Sequence, residues 1–200
     1  GNDQEKVSDM TMVVVLDNAA EAGNLVVCSF ASDNTSTVDG DNNELTSVTD
    51  TQSNTWTQAA EFTNAQTGAG TGVTIALFYS VVTTTLAIGN SITANYVSDR
   101  AAKAGTCWEF TLATSVIAVN ATLLIANDGV DCSAMDIGAQ AANVSRLTVR
   151  ASGAESPTTT YTADADYTTF THTNATTSGA GAASNMGARG EQRIAVETDP

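Results

Sequence analysis

The sequence predicts an all-β protein, an antiparallel β-sandwich of jelly-roll type with nine to eleven short strands and little helix. Three observations predict it. Threonine (32) and serine (16) make up nearly a quarter of the 200 residues, and Thr, like Val and the aromatics, suits a pleated, half-buried surface. Only 14% of the chain is charged, too little to give amphipathic helices their solvated face. Short apolar runs recur between Gly, Asn and Asp turns, the spacing of a sandwich or barrel. Disorder is the competing reading of an acidic, polar chain, but 42% hydrophobic residues gathered in such runs supply apolar surface to bury.

Taken in order, residues 1–12 begin with the polar, acidic stretch Gly1–Asp9 and are expected to form a flexible N-terminal arm before a single domain over 13–200. Met10–Asp17 and Asn24–Ala31 are apolar strands joined by the turn-like Asn18–Gly23. A polar loop, Ser32–Glu44, precedes the strands Leu45–Asp50 and Asn54–Phe62. The Gly-rich stretch Thr67–Gly72 has the composition of a phosphate loop but neither its Lys nor a following helix. It leads into Val73–Val82, the most apolar strand. Asn90–Val97 alternates Ile92, Ala94 and Tyr96 with Thr93, Asn95 and Val97, so one of its faces is solvated. Ser98–Ala104 is the longest stretch that reads as helix. Gly105–Leu112 is again a strand, and Val116–Ile125, Asn143–Ala151, Asp166–Thr173 and Ala188–Thr198 complete the set. No fixed-period repeat stands out, and Thr173–Ser184 is expected to be mobile or partner-dependent.

Charge narrows the function. Seven Lys and Arg against 22 Asp and Glu give a net charge of −15 and a pI near 4.1. Nucleic acid and anionic membranes are therefore excluded as partners, since both need clustered cations. A single histidine, His172, nearly excludes His-based triads and multi-His metal sites within one chain. No apolar stretch is long enough for a membrane helix. The N-terminus also lacks the pattern of a secretion signal. The expectation is a protein made and used without secretion, or one numbered after cleavage. Of three cysteines, Cys28 and Cys107 sit in apolar runs and read as buried free thiols, and Cys132 lies in a polar loop.

Few residues suggest chemistry. Asp39, Asp41 and Asn43 repeat the first three oxygen positions of an EF-hand, but Glu44 stands where the loop needs Gly and a strand follows in place of a helix. Calcium remains the one cofactor to consider, held by Asp33, Asp39, Asp41 and Glu44; a solvated loop accounts for the same residues. Trp56, Tyr79 and Tyr96, with Trp108, form either a ligand or interface platform or part of the core. Glu61 and Glu109 lie on strands, yet no acidic motif of a sandwich-fold glycosidase accompanies them. Arg189 and Arg193, alternating with Glu191, are expected to pair with carboxylates. The chain is not expected to be an enzyme.

Several stretches together carry a resemblance. Gly23-Asn24-Leu25-Val26-Val27 opens a strand; Ser47-Val48-Thr49-Asp50 is followed by Asn54-Thr55-Trp56; Leu77-Phe78-Tyr79, Trp108-Glu109-Phe110 and Gly187-Ala188-Arg189-Gly190-Glu191 come later. Residues 23–112 resemble β-sandwich proteins and modules of tailed bacteriophages and prophages, and the C-terminal part does so loosely. The resemblance implies a virion structural protein, most simply a capsid decoration or cement protein. Such a protein is made in the host cytoplasm, self-associates as a homo-oligomer and contacts other capsid or tail proteins. It carries over no catalytic residue. A fibre module that binds carbohydrate or a cell-surface receptor is the second expectation. An extracellular filament or surface-layer subunit is the third, if the numbering follows signal cleavage.

Overall fold

Strand β3 (Leu25–Asp33) decides the architecture: its first eight residues are buried on both faces, so it must lie inside a sheet covered from both sides. The computed structural model describes residues 1–38, 40, 43–64, 72–112, 145–155, 167–169 and 186–196. Around β3 these form β1 (Asn2–Glu5), β2 (Asp9–Val15), β4 (Leu45–Asp50), β5 (Thr57–Asn64), β6 (Val73–Val81), β7 (Ser91–Arg100) and β8 (Lys103–Phe110). Farther along come β9 (Ser145–Glu155), β10 (Thr168–Thr169) and β11 (Met186–Val196). No helix occurs among the described residues.

Three antiparallel sheets stack on one another. A central sheet, in the order β1-β8-β3-β6-β5, packs one face against β2-β7-β4 and the other against β10-β11-β9. Period-two alternation selects what fills the first interface. Val26, Cys28 and Phe30 of β3 and Ala76 and Phe78 of β6 meet Met12 and Val14 of β2 and Ile92, Ala94 and Tyr96 of β7. Gly105 on β8 makes room there, because a Cβ would lie 2.7 Å from Val14 Cγ2 and 2.9 Å from the Phe30 ring. The second interface is thinner, built from Ala31, Ala102 and Ala104 beneath Met186 and Ala188. At Gly153 of β9 a Cβ would come within 2.7 Å of Val73 Cγ2 and 3.3 Å of the Ala31 methyl. Small residues thus let the outer sheet lie close.

Two arches carry the chain between the facing sheets, one from β2 to β3 and one from β6 to β7, and they hydrogen-bond to each other reciprocally. Leu16 N donates to Asn90 O (2.9 Å) and Val82 N to Asn24 O (2.9 Å); Gly89 N donates to Leu16 O (2.9 Å) and Gly23 N to Val82 O (2.7 Å). Ala20 and Leu86 exchange both bonds at the centre. Every partner has its counterpart at one constant sequence offset: Leu16 with Val82, Ala20 with Leu86, Gly23 with Gly89, Asn24 with Asn90. Gly23 and Gly89 turn with φ of 94° and 83°, a conformation that favours glycine. Core positions after the arches correspond too, Val26 with Ile92 and Phe30 with Tyr96. A local pseudo-two-fold thus relates two segments whose sequences share little beyond the Gly-Asn pair.

Other expectations are corrected. Ser98–Ala104 is no helix: it is the end of β7, a bend and the start of β8, where the chain changes sheets. Residues 1–12 are built into two sheets in place of the arm expected from their polarity. β1 pairs with β8 and β2 with β7, because buried Lys103 draws both acidic segments onto it. Cys28 and Cys107 are buried as expected but bonded to each other as a disulfide, since antiparallel pairing of β3 with β8 sets them directly opposite. Val116–Ile125, Thr173–Ser184, Cys132, His172 and most of Thr67–Gly72 lie outside the described residues.

Candidate functional site

At one end of the sandwich the core becomes polar. Glu61, on β5 and 2% exposed, points between the sheets. Its Oε1 accepts from the amides of Glu44 (2.6 Å) and Leu45 (3.0 Å), and its Oε2 accepts from Gln58 Nε2 (2.9 Å). The carboxylate therefore fastens the end of the polar loop to the start of β4. Glu44 turns the other way and forms an ion pair with buried Arg100 while accepting from Thr35 Oγ1 (3.2 Å). Arg100 also donates to Ser98 Oγ (3.1 Å), and its guanidinium carbon lies 5.7 Å from the centre of the Tyr96 ring. Burial pushes the Tyr96 phenol well above its ordinary range, against the smaller opposing pull of Arg100.

This arrangement bears on the calcium residues. Glu44 is engaged by Arg100 and Thr35, Asp33 closes β3, and Asp39 and Asp41 lie outside the described residues. Among the described residues no group of three or more His, Cys, Asp or Glu is placed to hold a metal ion.

The aromatic platform does not form. Tyr96 is 1% exposed, because alternation along β7 turns it into the core. Tyr79 is half-buried on the opposite face of the central sheet, opposite Val27. Trp56 packs against the first core and donates its indole N–H to Asp50 Oδ2 (2.7 Å). That bond explains the Asp-x-x-x-Asn-Thr-Trp spacing. Asp50 Oδ1 accepts from the amides of Gln52 (2.7 Å) and Asn54 (3.2 Å), closing the turn by which the chain crosses from β4 to β5 in the facing sheet. Asn54, 6% exposed, accepts from the amides of Thr83 (2.8 Å) and Thr84 (2.9 Å) and donates to Thr84 O (3.1 Å). That β4–β5 turn is thus tied to the β6–β7 arch.

Glu61 and Glu109 do not face each other. Glu61 is opposite Ala76, whereas Glu109 lies on the rung of Val26 and Ser80. The four residue steps from Ala76 to Ser80 along β6 alone separate them by about 13 Å, beyond the roughly 5–9.5 Å of a glycosidase pair. Glu109 Oε1 instead accepts from Glu21 N and Asn24 Nδ2, both at 2.7 Å, and braces the first arch. Beside it a cleft of ≈500 Å³ runs between Asn18, Thr106, Trp108, Phe110 and Gln192. In the outer sheet Glu191 pairs with Arg150, its direct cross-strand neighbour (3.1 Å), and Arg150 stacks on Tyr167 at 3.8 Å.

Sequence reading missed one surface, the outer face of β2-β7-β4. Its rungs are Thr11–Asn95–Ser47, Val13–Thr93–Thr49 and Val15–Ser91. None of these residues is charged, and Val13 and Val15 are 38% and 44% exposed. The solvated face of Asn90–Val97 was one third of the signal; assembling the rest requires knowing that β2 and β4 flank β7. No family model, curated protein or solved structure matches this chain.

Proposed function

We propose that this chain is a non-enzymatic structural protein of a tailed-bacteriophage virion, a decoration or cement subunit present in many copies on the outer shell. The observation that carries the non-enzymatic reading is the engagement of its carboxylates. Glu44, Glu61, Asp50, Glu109 and Glu191 each hold a main-chain amide, a guanidinium or an indole. Groups that brace the scaffold in this way are poorly placed to exchange protons with a substrate. The virion reading rests on the resemblance of the Gly23–Val27 and Ser47–Trp56 segments. Geometry supports it by giving those residues a fold-building role that any sandwich of this kind needs.

The strand order β1-β8-β3-β6 facing β2-β7-β4 supports jelly-roll connectivity, with β5 departing by joining β6. The Cys28–Cys107 disulfide suits a particle that leaves the host cytoplasm for an oxidising medium. Its partners would be capsid or tail proteins and further copies of itself. A second reading, a glycan- or receptor-binding fibre module, is favoured by the cleft beside Trp108 and Phe110.

Immunoelectron microscopy and quantitative mass spectrometry of virus particles from the source test the proposal. Many copies per particle, labelled on the outside, are the expected result. Absence from particles overturns it, and a saturable shift of tryptophan fluorescence with a saccharide transfers the weight to the fibre module.

A further inference from the structure

The direction of the Cys28–Cys107 bond fixes how a reductant can approach it. Both cysteines are buried, and the bond runs across the central sheet from β3 to β8. A thiolate displaces a sulfur in line with the S–S bond, from the side opposite the sulfur that leaves. Attack on Cys28 would have to come from the β6 side, through the interior of the sheet. Attack on Cys107 comes across the outer edge of β8, where among the described residues only β1 lies beyond it in the sheet. Gly1 stands at that point: its N donates to Cys107 O (3.2 Å) and its carbonyl accepts from Cys107 N (2.9 Å). It also fills the seam with β2, since a Cβ on it would run into the Val15 carbonyl and Leu16 Cα. We propose that residues 1–9 gate this disulfide: a thiol reductant reaches Cys107 only when β1 lifts from β8, and Lys103 sets how often it lifts. The inference is independent of the virion reading.

Such a gate opens before the sandwich does. β1 is Asn2, Asp3, Gln4 and Glu5, with no apolar side chain, so lifting it costs little hydrophobic burial. What holds it is a four-residue ladder to β8 and the buried Lys103 ammonium, which reaches Glu5, Asp9 and the carbonyl of Val7. A segment held by so few apolar contacts opens locally at a lower free energy than the whole domain unfolds. Once β1 is away, a dithiol completes the exchange. Its thiolate bonds to Cys107 Sγ, the S–S bond breaks, and Cys28 leaves as a thiolate that takes up a proton. The second thiol of the reagent then displaces Cys107 and closes a cyclic disulfide, so the protein gains two electrons and two protons. Displacement of the N-terminal segment and reduction of the core disulfide are thereby coupled.

Dithiothreitol added to the folded full chain carrying Cys132→Ser tests this, with alkylation in denaturant and adducts counted by mass. The count rises from zero to two as the bond is reduced. Reduction of the folded chain is expected to be at least about a hundredfold slower than that of the chain unfolded in urea. Below the unfolding transition its rate rises only shallowly with urea, because a local opening exposes little surface. Lys103→Met, which removes the ammonium that holds Glu5 and Asp9, speeds reduction by about tenfold or more. Val48→Ala, in the core at the edge of the facing sheet opposite β2, weakens the sandwich and leaves the rate unchanged. Should Lys103→Met fold poorly, Asp3→Pro replaces it. Gly1 and Cys107 exchange both bonds, so the pair two residues on, Asp3 with Gly105, does the same. Proline there removes a donor from β1 alone, and it too speeds reduction. A folded chain reduced as fast as the unfolded one, a urea slope equal to that of global unfolding, or Val48→Ala as fast as Lys103→Met overturns the gate. So does an Asp3→Pro chain reduced at the wild-type rate.

Discussion

Arg100 and Lys103 bracket the two-residue crossover from β7 to β8, and each carries its charge inward to a different partner. Arg100 reaches Glu44 at the end of the polar loop; Lys103 reaches Glu5 (2.9 Å) and Asp9 (2.5 Å) in the N-terminal segment. Its ammonium also donates to the carbonyls of Val7 (2.9 Å) and Asp9 (3.2 Å). Two of the chain's seven cations thus lie buried at one corner, fastening two acidic segments that composition alone would leave in solvent.

Glu44→Gln leaves the Arg100 guanidinium buried without a counter-charge, a change that costs about 3–5 kcal/mol in comparable sites. Replacing both partners with apolar residues, Glu44→Leu with Arg100→Met, recovers most of that loss. Urea unfolding midpoints of the single and double variants decide it; a double variant no more stable than the single removes the pair from the account of this corner.

The N-terminal segment is expected to release in acid. The hydrogen bond from Lys103, then that from the Thr11 amide, holds the Asp9 carboxyl below its ordinary range. A carboxyl lowered on folding contributes stability above its unfolded pKa, about 3.9, and loses it as pH falls through the folded value. Amide exchange at Asn2–Glu5 should therefore stay slow at pH 5 and accelerate below about pH 4. Asp9→Asn should abolish that acid step, and a variant with an unchanged profile would assign the release to another group.

The disulfide gives a direct count. Thiol titration of the unfolded chain should find one thiol without reductant and three with it, since the sequence holds three cysteines and Cys28 is bonded to Cys107. Closing a loop between residues 79 apart in sequence restricts the unfolded chain, so reduction should lower stability by about 4 kcal/mol. Three thiols without reductant would contradict the pairing.

Gly153→Val tests the third layer separately. Its side chain would press on Val73 and Ala31, and overpacking of this kind costs about 1–3 kcal/mol. The outer sheet should loosen while the facing pair keeps its exchange protection. Gly105→Val, pressed between Val14 and Phe30, should instead destabilise the facing pair itself.

Most strands were legible in the sequence because their signal is local. Leu45–Asp50 coincides with β4, and Val73–Val82 differs from β6 by one residue, since alternation and flanking turn residues act over a few positions. β1 was not legible: Asn2–Glu5 has no apolar alternation and becomes a strand only through β8 and Lys103. Tyr96 looked like Trp56 and Tyr79 in a list of aromatics, and only the sheet it belongs to turns it inward. The polar residues of the Asp50–Trp56 motif were visible, but their role in tying the β4–β5 turn to an arch was not.

By itself the sequence determined the class of the fold, the positions of most strands, the acidity of the surface and the absence of cation clusters. These depend on composition and on a period of two. Tertiary structure decided which strands are neighbours, that Cys28 meets Cys107, that Glu44 and Glu61 brace the scaffold, and that the central rungs of the outer face of β2-β7-β4 carry no charge. Each joins residues far apart in sequence, and a local pattern holds no information about which distant partner antiparallel pairing will bring opposite.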